Sequence, residues 1–488
     1  MTESRLAMVM SGPETFGAAH AEAEIERLQR AGTTVEWKAP TGERFSMLIP
    51  PTVYPPREDT DLLASVLTSQ RLPPKTEWLE IGCGSGALSL HAARLGCKVT
   101  ACDINPLAVA CTRAQFAQNG LKATVLEGGP GPLADGFSSQ WGGDQTYDVV
   151  VWNTPYLGAD ALVDGMLGPM EEAALTDTDR VGLFVRMARL IATTPLLSNN
   201  GVAYLTVSSK GAGQNACELA WAEGVAARCI ATTSFEDGEQ LSVIAMWKPY
   251  ADAPVLHRPV TTSTNDDVVA LAGVVGSSVR ADVQTTGRGR RGRLWKSYSG
   301  AFMGSWLIHS GQGWPHTTGD QLRVGEALAR LIRCMSERGS ADVCLKWPND
   351  LYARSSDGVL KKAGGVLFEA VSQGDVHHVI LGLGLNIETG GQTYASLHDL
   401  GLETTPEKIH LALHAVVASL FQQVDHLPRA APSVHVEKEV LHGISLLGPL
   451  FYRNQKVLIE TVHPSGSLCL EGWDEPVDEP DDLTWSGV

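Results

Sequence analysis

Long apolar runs and a signal-like N-terminus are both missing from this sequence. A membrane-spanning helix needs about 18 or more apolar residues in a row, and a secretory signal places a basic start before an apolar stretch. The absence of both predicts a cytoplasmic protein without a membrane span. Cys-x-x-Cys pairs are missing too, although the chain has nine cysteines. We therefore expect reduced thiols, and neither a disulfide framework nor a structural metal site.

Basic residues are scarce relative to acidic ones. The 488 residues include 38 Lys and Arg against 55 Asp and Glu, which gives a formal net charge of -17. A protein whose main partner is a nucleic acid usually presents a basic surface to the phosphates. The charge balance therefore disfavours a nucleic-acid partner. The length exceeds what one hydrophobic core usually supports, so two to four domains are expected.

Strand-like and helix-like segments alternate between about residues 77 and 247. Apolar strand patterns such as EWLEIG and YDVVVWN are separated by helical patterns such as PLAVACTRAQFAQNG. This order predicts a mostly parallel sheet with helices on both faces. Upstream, the pattern predicts a short amphipathic helix over residues 21–31 and a hairpin around residues 40–42.

The alternation ends near Pro249 and Pro254, where a different arrangement of glycine, arginine and strand signals begins. A second break is predicted near residues 428–433, and the strand patterns that follow suggest a small all-β unit. The acidic segment 474–482 is typical of a solvated tail or loop. The predicted domains are residues 1–249, 250–432 and 433–488.

Glycines alternate at the end of the first predicted strand of the parallel sheet. Gly82, Gly84 and Gly86 form a GxGxG pattern, which lets the backbone turn tightly and a ligand approach. Alone, this pattern also fits an ordinary turn. Asp103 ends the next strand, where a carboxylate can accept hydrogen bonds from both hydroxyls of a ribose. A dinucleotide fold favours GxGxxG, and position 87 is alanine, so S-adenosylmethionine is favoured over a hydride carrier.

An Asn-Thr-Pro-Tyr segment, residues 153–156, follows the fourth predicted strand. Ligands bind at such strand ends in parallel sheets. The oxygen of Asn153 and a neighbouring backbone carbonyl can accept two hydrogen bonds from an NH2 group, while the ring of Tyr156 covers its planar neighbour. The segment alone is often a turn. Together with the glycine pattern, it predicts a clamp that aims a nitrogen lone pair at a methyl sulfonium.

The densest basic cluster is GRGRRGR at residues 287–293, called the arginine loop below. Its glycines allow open and ordered states, and arginines such as Arg288 and Arg290 offer planar donors to phosphate. A nucleic-acid-binding patch is the rival interpretation. Strand patterns on both sides of the loop favour a lid over an anionic ligand instead.

A KWPND segment places a lysine, an amide and a carboxylate around a proline at residues 346–350. Further on, Lys362 precedes a strand pattern with small residues. A lysine in that position is usually a solvated strand end. Paired with an anion-binding loop, it can also offset negative charge that develops on a phosphate.

The first half of the chain resembles the HemK-type class I methyltransferases, which include enzymes that methylate glutamine in release factors. The resemblance covers about residues 30–249 and rests on VYPPREDTDLL, LEIGCGSGAL, CDINPLAV and WNTPYLG. It implies a doubly wound, Rossmann-like domain that uses S-adenosylmethionine to methylate a protein amide. The residues that it assigns to cofactor and acceptor are Gly82, Gly84, Gly86, Asp103, Asp59, Thr60, Asn153, Pro155 and Tyr156.

One departure from that family concerns the acceptor. The family prefers NPPY, and Thr154 takes the place of a proline that would fix the backbone. The acceptor is therefore left open between a protein amide, a small molecule and a nucleic-acid base, and a degenerate binding or scaffold module also remains an alternative.

The second half of the chain resembles the catalytic domain of biotin protein ligases. Residues 262–265, GRGRRGR followed by LW, KWPNDL, KKAGGVLFE and LGLGLN occur in the family's order over residues 258–388. The resemblance implies an α+β domain that makes biotinyl-5'-AMP from biotin and MgATP. A lysine of an acceptor, the biotin carboxyl carrier protein, then receives the biotin. Lipoate ligases are the nearest rival, but they lack this arginine loop.

The ligase resemblance also implies roles for individual residues. Ser263, Thr264, Asn265 and Gln284 would bracket biotin. Gly287, Arg288 and Arg290 would order over the adenylate, and Lys362 would contact both the biotin carboxylate and the α-phosphate. Asn349 and Asp350 would help to hold the adenosine-phosphate side and Mg²⁺, and Lys346 and Trp347 would also bind substrate. In this family an exposed sheet edge also favours a homodimer.

Overall fold

The computed structural model describes most of the chain. The described residues are 31–131, 141–155, 157–158, 176–177, 181–271, 273–295, 300–313, 318–336, 342–388, 393–430 and 435–486. The helix predicted over residues 21–31 lies almost entirely outside these ranges, as does Tyr156 of the predicted clamp.

The first unit contains the predicted hairpin followed by alternating strands and helices. Its elements are β1 (Thr33–Lys38), β2 (Arg44–Ile49), α1 (Glu58–Ser69), β3 (Glu77–Ile81), α2 (Ala87–Arg94), β4 (Lys98–Asp103), α3 (Pro106–Gln118), β5 (Ala123–Glu127), β6 (Tyr147–Asn153), β7 (Leu157–Gly158), β8 (Thr176–Asp177), α4 (Leu183–Thr193), β9 (Leu197–Ser208), α5 (Ala216–Ala222), β10 (Ala226–Ser234) and β11 (Gln240–Trp247).

The main sheet of this unit has the order β10-β11-β9-β6-β3-β4-β5. Strands β9, β6, β3, β4 and β5 are parallel, whereas β11 and β10 are antiparallel to their neighbours. The central strands are mostly buried and mainly apolar because both faces of the sheet are covered; Glu80 on β3 is a buried exception. The prediction of a mostly parallel, doubly covered sheet is confirmed.

Local sequence signals explain where α3 begins, next to the carboxyl end of β4. The side chain of Asn105 accepts a hydrogen bond from the Leu107 backbone, and Pro106 occupies the first turn of α3. An Asn cap followed by proline is a favoured helix start. As a result, α3 begins directly after Asp103 at the end of β4.

The second unit is an α+β domain built on an antiparallel-rich sheet. Its elements are β12 (Val255–Thr261), α6 (Thr264–Val269), β13 (Ser278–Gln284), β14 (Phe302–Gly311), α7 (Thr318–Met335), β15 (Val343–Lys346), β16 (Asp350–Arg354), β17 (Leu360–Gln373), β18 (Val376–Leu385) and α8 (Pro406–Phe421). The sheet order is β12-β13-β14-β18-β17-β16-β15. Strand β12 forms one edge and exposes Val255 and Val260; a homodimer through this edge stays a prediction.

The C-terminal residues form a small unit that is not all-β, contrary to the expectation from the strand patterns. Helix α9 (Val436–Leu447) precedes β19 (Leu450–Tyr452), β20 (Gln455–Val457), β21 (Ile459–Val462), β22 (Leu468–Leu470) and β23 (Leu483–Trp485). The apolar face of α9 packs with these strands and with Leu345 and Trp347 of the second unit. The unit is thus joined to the KWPND segment through a shared core.

Helix α8 lies between the first and second units. It contacts α5 and β10 on one side and α7 and β14 on the other. Arg228 of β10 is 7% exposed and donates hydrogen bonds to the carbonyls of Ala418, Ser419, Gln422 and Pro428 at the C-terminal end of α8. A buried guanidinium of the first unit therefore caps a helix of the second.

A second polar contact crosses the same interface. Glu218 of α5, which is 2% exposed, forms an ion pair with Arg330 of α7, and Arg330 also pairs with Glu326 at 3.0 Å. The Arg330 guanidinium lies 5.9 Å from the ring centre of Trp221. Buried charges of this kind are paired because an isolated buried charge is very costly.

Candidate active sites

The first candidate site is a cavity of about 240 Å³ at the carboxyl ends of β3, β4 and β6. Its lining contains the predicted residues Asp59, Thr60, Gly82, Gly84, Asp103, Asn153 and Pro155. Gly86 is not part of the lining. Position 86 has φ of 83°, and a Cβ there would lie 2.9 Å from Thr112 Oγ1, so this glycine permits the turn and the close packing of α3.

Asp103 is held in place by backbone groups. Its two carboxylate oxygens accept hydrogen bonds from the N–H groups of Gly84 and Asn105, each at 2.8 Å. Burial raises the pKa of Asp103, while these two hydrogen bonds lower it. Each oxygen keeps a further acceptor position. The carboxylate is therefore fixed at the cavity edge and can accept from a ligand hydroxyl.

Asp59 contacts the predicted clamp directly. Its Oδ2 accepts hydrogen bonds from Tyr54 Oη at 2.9 Å and from Asn153 Nδ2 at 3.0 Å. Its Oδ1 accepts one from the Thr60 backbone at 2.6 Å. Because the Asn153 amide nitrogen donates to Asp59, the orientation of the side-chain amide is fixed and its oxygen, Oδ1, points away from Asp59 as a hydrogen-bond acceptor. That buried oxygen, Asn153 Oδ1, has no hydrogen-bond partner among the described residues.

Thr154 is 3% exposed and its hydroxyl donates a hydrogen bond to the carbonyl of Thr206 on β9. The segment that carries Asn153 is thus tied to the neighbouring strand by a side chain that proline lacks. The hydrogen bond restrains the backbone at position 154, where the HemK-type methyltransferases prefer a proline.

Glu80 is a cavity residue that the sequence analysis missed. It lies on β3, lines the first cavity and is 3% exposed. Burial raises its pKa from the ordinary 4.5 to about 8, and the charge of Asp103 adds to this effect. Ser89 donates a hydrogen bond to it. An acidic residue inside an otherwise apolar strand is the signal that could have identified it.

A neighbouring cavity of about 520 Å³ shares Tyr54 and Asp59 with the first. The rest of its lining is mainly acidic or apolar: Glu58, Phe235, Glu236, Asp237, Glu239 and Leu241, with one arginine, Arg57. The surroundings of the predicted clamp are therefore predominantly acidic.

The second candidate site is a cavity of about 470 Å³ between the arginine loop, the sheet and the C-terminal unit. It brings together nearly all residues predicted from the ligase-like motifs. The predicted residues in its lining are Ser263, Thr264, Asn265, Gln284, Arg288, Arg290, Lys346, Trp347, Asn349, Asp350 and Lys362. Gly287 is outside the lining; its carbonyl accepts a hydrogen bond from the Trp295 backbone at 2.9 Å.

A polar network occupies one end of this cavity. Gln284 Oε1 accepts a hydrogen bond from the Thr264 backbone at 2.9 Å, and the Thr264 and Ser305 hydroxyls lie 2.7 Å apart. Ser305 in turn donates to Asn265 Oδ1 at 2.5 Å. Ser305 was not predicted, because a single serine in an apolar strand carries no sequence signal.

Arg288 is held by two carboxylates. Its guanidinium donates to Asp266 at 2.8 and 2.9 Å and to Glu369 at 3.0 to 3.3 Å. Hydrogen bonds to Asp266 and then Glu369 raise the pKa of Arg288. Glu369 also accepts from Asn265 Nδ2 at 2.5 Å. Neither carboxylate was predicted; both link the arginine loop to the sheet and to α6.

Lys362 lies within β17 and points at the KWPND segment. Its Nζ is 2.6 Å from Asp350 Oδ1 and 5.5 Å from the ring centre of Trp295. Lys346 lines the same cavity, and burial together with the nearby charge of Lys362 lowers its pKa. The cavity therefore contains positive charge from the lysines and the arginine loop, as a site for an anionic ligand requires.

The acidic segment 474–482 is not simply solvated, contrary to the prediction. Glu479 and Asp481 form ion pairs with Arg291 and Arg293 of the arginine loop. Asp481 also lines the second cavity. The segment is thus part of the wall of the candidate site.

Two family models match separate parts of the chain. Residues 259–386 match the biotin/lipoate A/B protein ligase family, and residues 59–157 match the ribosomal protein L11 methyltransferase family, PrmA. The first match runs from β12 to just past the end of β18 and contains most of the second cavity's lining, but not its C-terminal residues Pro480, Asp481, Leu483 and Trp485. The second match contains the glycine turn, Asp103 and Asn153.

Individual proteins of known sequence also match the chain in two separate groups, ligases and methyltransferases. The bifunctional ligase/repressor BirA of Escherichia coli is 35% identical over 133 residues, which are 26% of this chain and 39% of BirA. A candidate protein N5-glutamine methyltransferase of Methanocaldococcus jannaschii is 31% identical over 128 residues, 26% of this chain and 59% of that protein. The chain thus spans about two fifths of BirA and three fifths of the methyltransferase.

Solved structures related to both halves have low overall similarity. Biotin protein ligase from Aquifex aeolicus in complex with biotin and ATP has 19% identity and a TM-score of 0.38, covering 48% of this chain and 99% of that one. The T. thermophilus 16S rRNA N2 G1207 methyltransferase in complex with AdoMet and guanosine has 19% identity and a TM-score of 0.32, covering 45% of this chain and 52% of that one.

The sequence matches show that the chain joins a methyltransferase-like domain to a biotin protein ligase-like domain, in that order. The resemblance inferred from the motifs is therefore confirmed. Among the described residues, no helix combines the length and apolar character required to cross a membrane.

Proposed function

We propose that the second cavity makes biotinyl-5'-AMP from biotin and ATP and then transfers biotin to a lysine of a carrier protein. The observation that carries this proposal is the convergence of the arginine loop, Lys362 and the KWPND segment on one cavity. The acceptor, a biotin carboxyl carrier protein, is inferred from the ligase family and not from a contact in the structure.

In the proposed first step, a carboxylate oxygen of biotin attacks the α-phosphorus of ATP. A new oxygen–phosphorus bond forms, the bond to the β-phosphate oxygen breaks, and pyrophosphate leaves. Negative charge builds up on the α-phosphate, and Lys362 and Arg290 supply positive charge on that side. Lys362 lies 2.6 Å from Asp350 Oδ1 and 5.5 Å from the ring centre of Trp295, which positions its ammonium group in the cavity for this role.

Biotin would occupy the end of the cavity that contains the Ser263 to Asn265 segment and Gln284. The ureido group needs paired donors and acceptors, which Thr264, Ser305 and Gln284 offer. Asn349 and Asp350 are oxygen donors of the kind that Mg²⁺ prefers. A bound magnesium ion would neutralise part of the phosphate charge.

In the proposed second step, the unprotonated amine of the acceptor lysine attacks the acyl carbon of the adenylate. A carbon–nitrogen bond forms, AMP leaves with the oxygen of the mixed anhydride, and the amine loses a proton. The role of the cavity is to hold the adenylate away from water until the acceptor arrives, because the anhydride also reacts with water.

Lys362→Ala tests the ligase proposal. We expect adenylate formation, measured by pyrophosphate release with biotin and ATP, to fall by about 10²- to 10³-fold. Lys361→Ala is the matched control, since Lys361 is the neighbour on β17 and pairs with Asp357 at 2.5 Å outside the cavity lining. Equal activity of the Lys362 variant and the control would exclude this role for Lys362.

We further propose that the first cavity binds S-adenosylmethionine and methylates a side-chain amide of a protein. The observation that carries this proposal is the buried acceptor oxygen of Asn153, whose orientation Asp59 defines. This oxygen can accept a hydrogen bond from the NH2 group that receives the methyl group. Bound S-adenosylmethionine would supply an electrophilic methyl group, and its ribose hydroxyls would donate to Asp103.

The acidic surroundings favour a protein acceptor over a nucleic acid. Glu236, Asp237 and Glu239 line the neighbouring cavity, which shares Asp59 with the first. Lys210 forms ion pairs with Asp237 and Glu239, but together with Glu58 and Asp59 the carboxylates still outnumber Arg57 and Lys210 there, and this excess of negative charge would repel phosphates. A labelled methyl group transferred from S-adenosylmethionine to extract components should therefore resist nuclease and be lost with protease. Label that is lost with nuclease would assign the alternative, nucleic-acid acceptor.

Asn153→Ala separates acceptor binding from cofactor binding. We expect methyl transfer to fall at least about 10²-fold, because an oriented hydrogen bond to the reacting group is lost. Binding of S-adenosylmethionine, measured by calorimetry, should stay close to the wild-type value. Asn199→Ala on the exposed part of β9 is the control. An unchanged methylation rate in the Asn153 variant would refute the clamp.

A further inference from the structure

Two arginines of the arginine loop line the second cavity and also form ion pairs with the C-terminal unit. Arg291 Nη1 lies 2.6 Å from Asp481 Oδ2, and Arg291 Nη2 donates to Glu479. Arg293 Nη2 lies 3.1 Å from Asp481 Oδ1. Carboxylates from a distant part of the sequence therefore occupy guanidinium groups beside the proposed nucleotide site.

The backbone of the loop turns sharply at Arg291. Arg291 has φ of 55° and ψ of 34°, a left-handed conformation that side chains with a Cβ adopt rarely. Such conformations persist where surrounding contacts determine them. Here the Gly289 N–H donates to the Arg293 carbonyl at 2.6 Å and the Arg293 N–H donates to the Arg290 carbonyl at 3.2 Å, so backbone hydrogen bonds close the turn. This turn directs the Arg291 side chain toward Glu479 and Asp481.

The acidic partners are anchored, but the ion pairs themselves are accessible to water. Leu483 and Trp485 of β23 directly follow the acidic residues and are 5% and 8% exposed within the C-terminal core. In contrast, the side chains of Arg293 and Asp481 are 70% and 46% exposed. Exposed ion pairs are weak and are screened by salt. The carboxylates are therefore held in position by the C-terminal core, while their ion pairs with the arginines can break at little cost in free energy.

We propose that Glu479 and Asp481 form an acidic clasp that holds the arginine loop and that the phosphates of the nucleotide displace. Carboxylates and phosphates are both anions that bind planar guanidinium groups, so they compete for the same donors. They also repel each other when both lie in one cavity. The clasp thus keeps the loop ordered before nucleotide binds and lowers nucleotide affinity.

The clasp rests on the proposed ligase function, because it requires a nucleotide in the second cavity. One part of it can be tested without any nucleotide. Glu479→Gln with Asp481→Asn removes both charges with little change in shape, and we expect trypsin to cut the loop after Arg288 to Arg293 about two- to tenfold faster. Cleavage is identified by mass spectrometry of the peptides. A cleavage rate equal to that of the wild type would overturn the clasp.

The matched control removes equal charge from the same segment. Asp474→Asn with Glu475→Gln changes two exposed residues that take no part in the ion pairs with the loop. We expect this control to be cleaved like the wild type. Faster cleavage of the control would show that charge removal alone loosens the unit, and would also overturn the clasp.

Binding of ATP tests the competition itself. The Kd is measured in saturating biotin for an ATP analogue with a methylene bridge between its α- and β-phosphates, so that no adenylate forms. It should be about two- to tenfold lower in the clasp variant than in the wild type, and the difference should shrink at high salt. Equal or weaker binding by the variant would overturn the clasp alone. Failure of the wild type to bind ATP would instead overturn the proposed ligase function, so the two failures are distinguishable.

Discussion

Glu80 illustrates how burial sets the protonation state of a single side chain. It lines the first cavity, and its pKa is raised from 4.5 to about 8, mainly by the loss of water and additionally by the charge of Asp103. In the folded protein at neutral pH, Glu80 therefore holds a proton that the unfolded chain releases. Folding is linked to proton uptake at this position.

This linkage predicts that the stability contributed by Glu80 decreases as the pH rises. The stability associated with the Glu80 proton is fully present below about pH 4.5 and is lost as the pH rises through about 8. Glu80→Gln removes the titration but keeps the size of the side chain. We expect the stability of the variant relative to the wild type to grow with pH across this window, by up to about 1.4 kcal/mol per pH unit.

The measurement is thermal unfolding at several pH values between 5 and 8.5 without S-adenosylmethionine. Glu77→Gln on the same strand is the control for charge removal, because Glu77 is 46% exposed and pairs with Lys98. A difference between the Glu80 variant and the wild type that stays constant over the pH range contradicts the expectation.

At the scale of elements, α8 depends on a neighbour that its own sequence does not encode. The helix begins with local signals, since Thr405 accepts a hydrogen bond from the Lys408 backbone and Pro406 is in the first turn. At its other end, four carbonyls of residues 418 to 428 accept hydrogen bonds from Arg228. The helix end is thus satisfied by the other unit.

Removal of the Arg228 guanidinium should therefore destabilise the protein strongly. Arg228→Leu leaves several buried carbonyls without a partner, and each costs about 1–3 kcal/mol, so we expect a loss of about 2–4 kcal/mol. Unfolding by heat or urea measures this loss. Arg189→Leu is the control, because Arg189 forms a surface pair with Glu223, and such pairs contribute at most about 1 kcal/mol. Equal stability of the two variants would contradict the expectation.

The sequence predicted the elements that local chemistry determines. The glycine turn and the KWPND segment combine residue types whose preferences act within a few positions of the chain. These segments and the main strands lie in the structure where the pattern indicated. Helix α9 was missed because it has only 12 residues and lies between a proline-containing segment and a series of strand patterns. Its helical spacing of apolar residues is therefore too short to stand out from the alternating pattern that follows.

Pairings between distant charged residues were not predictable in the same way. Arg228 with α8, and Glu479 with Arg291, are joined only by the tertiary fold. An isolated arginine or an acidic run in a sequence is most often a solvated surface feature. The same reason explains why Asp266 and Glu369 were missed as partners of Arg288, whereas the motif residues around them were found.

At the scale of the molecule, the two large units share one hydrophobic core. A single cluster of buried residues contains Trp221 and Trp247 of the first unit together with Trp306, Val324 and Val416 of the second. The polar contacts of Arg228 and Arg330 cross the same interface. Interfaces this apolar and this well paired resemble a domain interior more than a contact between mobile domains.

The shared core predicts that the two units unfold together. Scanning calorimetry should show one transition, and S-adenosylmethionine at about 100 times its Kd should shift the whole transition by a stabilisation of about 2.7 kcal/mol. Biotin with ATP should shift the same transition, because either ligand binds only the folded state of a common unit. Arg228→Leu should weaken this coupling and separate the transition into two. Two wild-type transitions, of which each ligand moves only one, would mean that the units fold independently despite their common core.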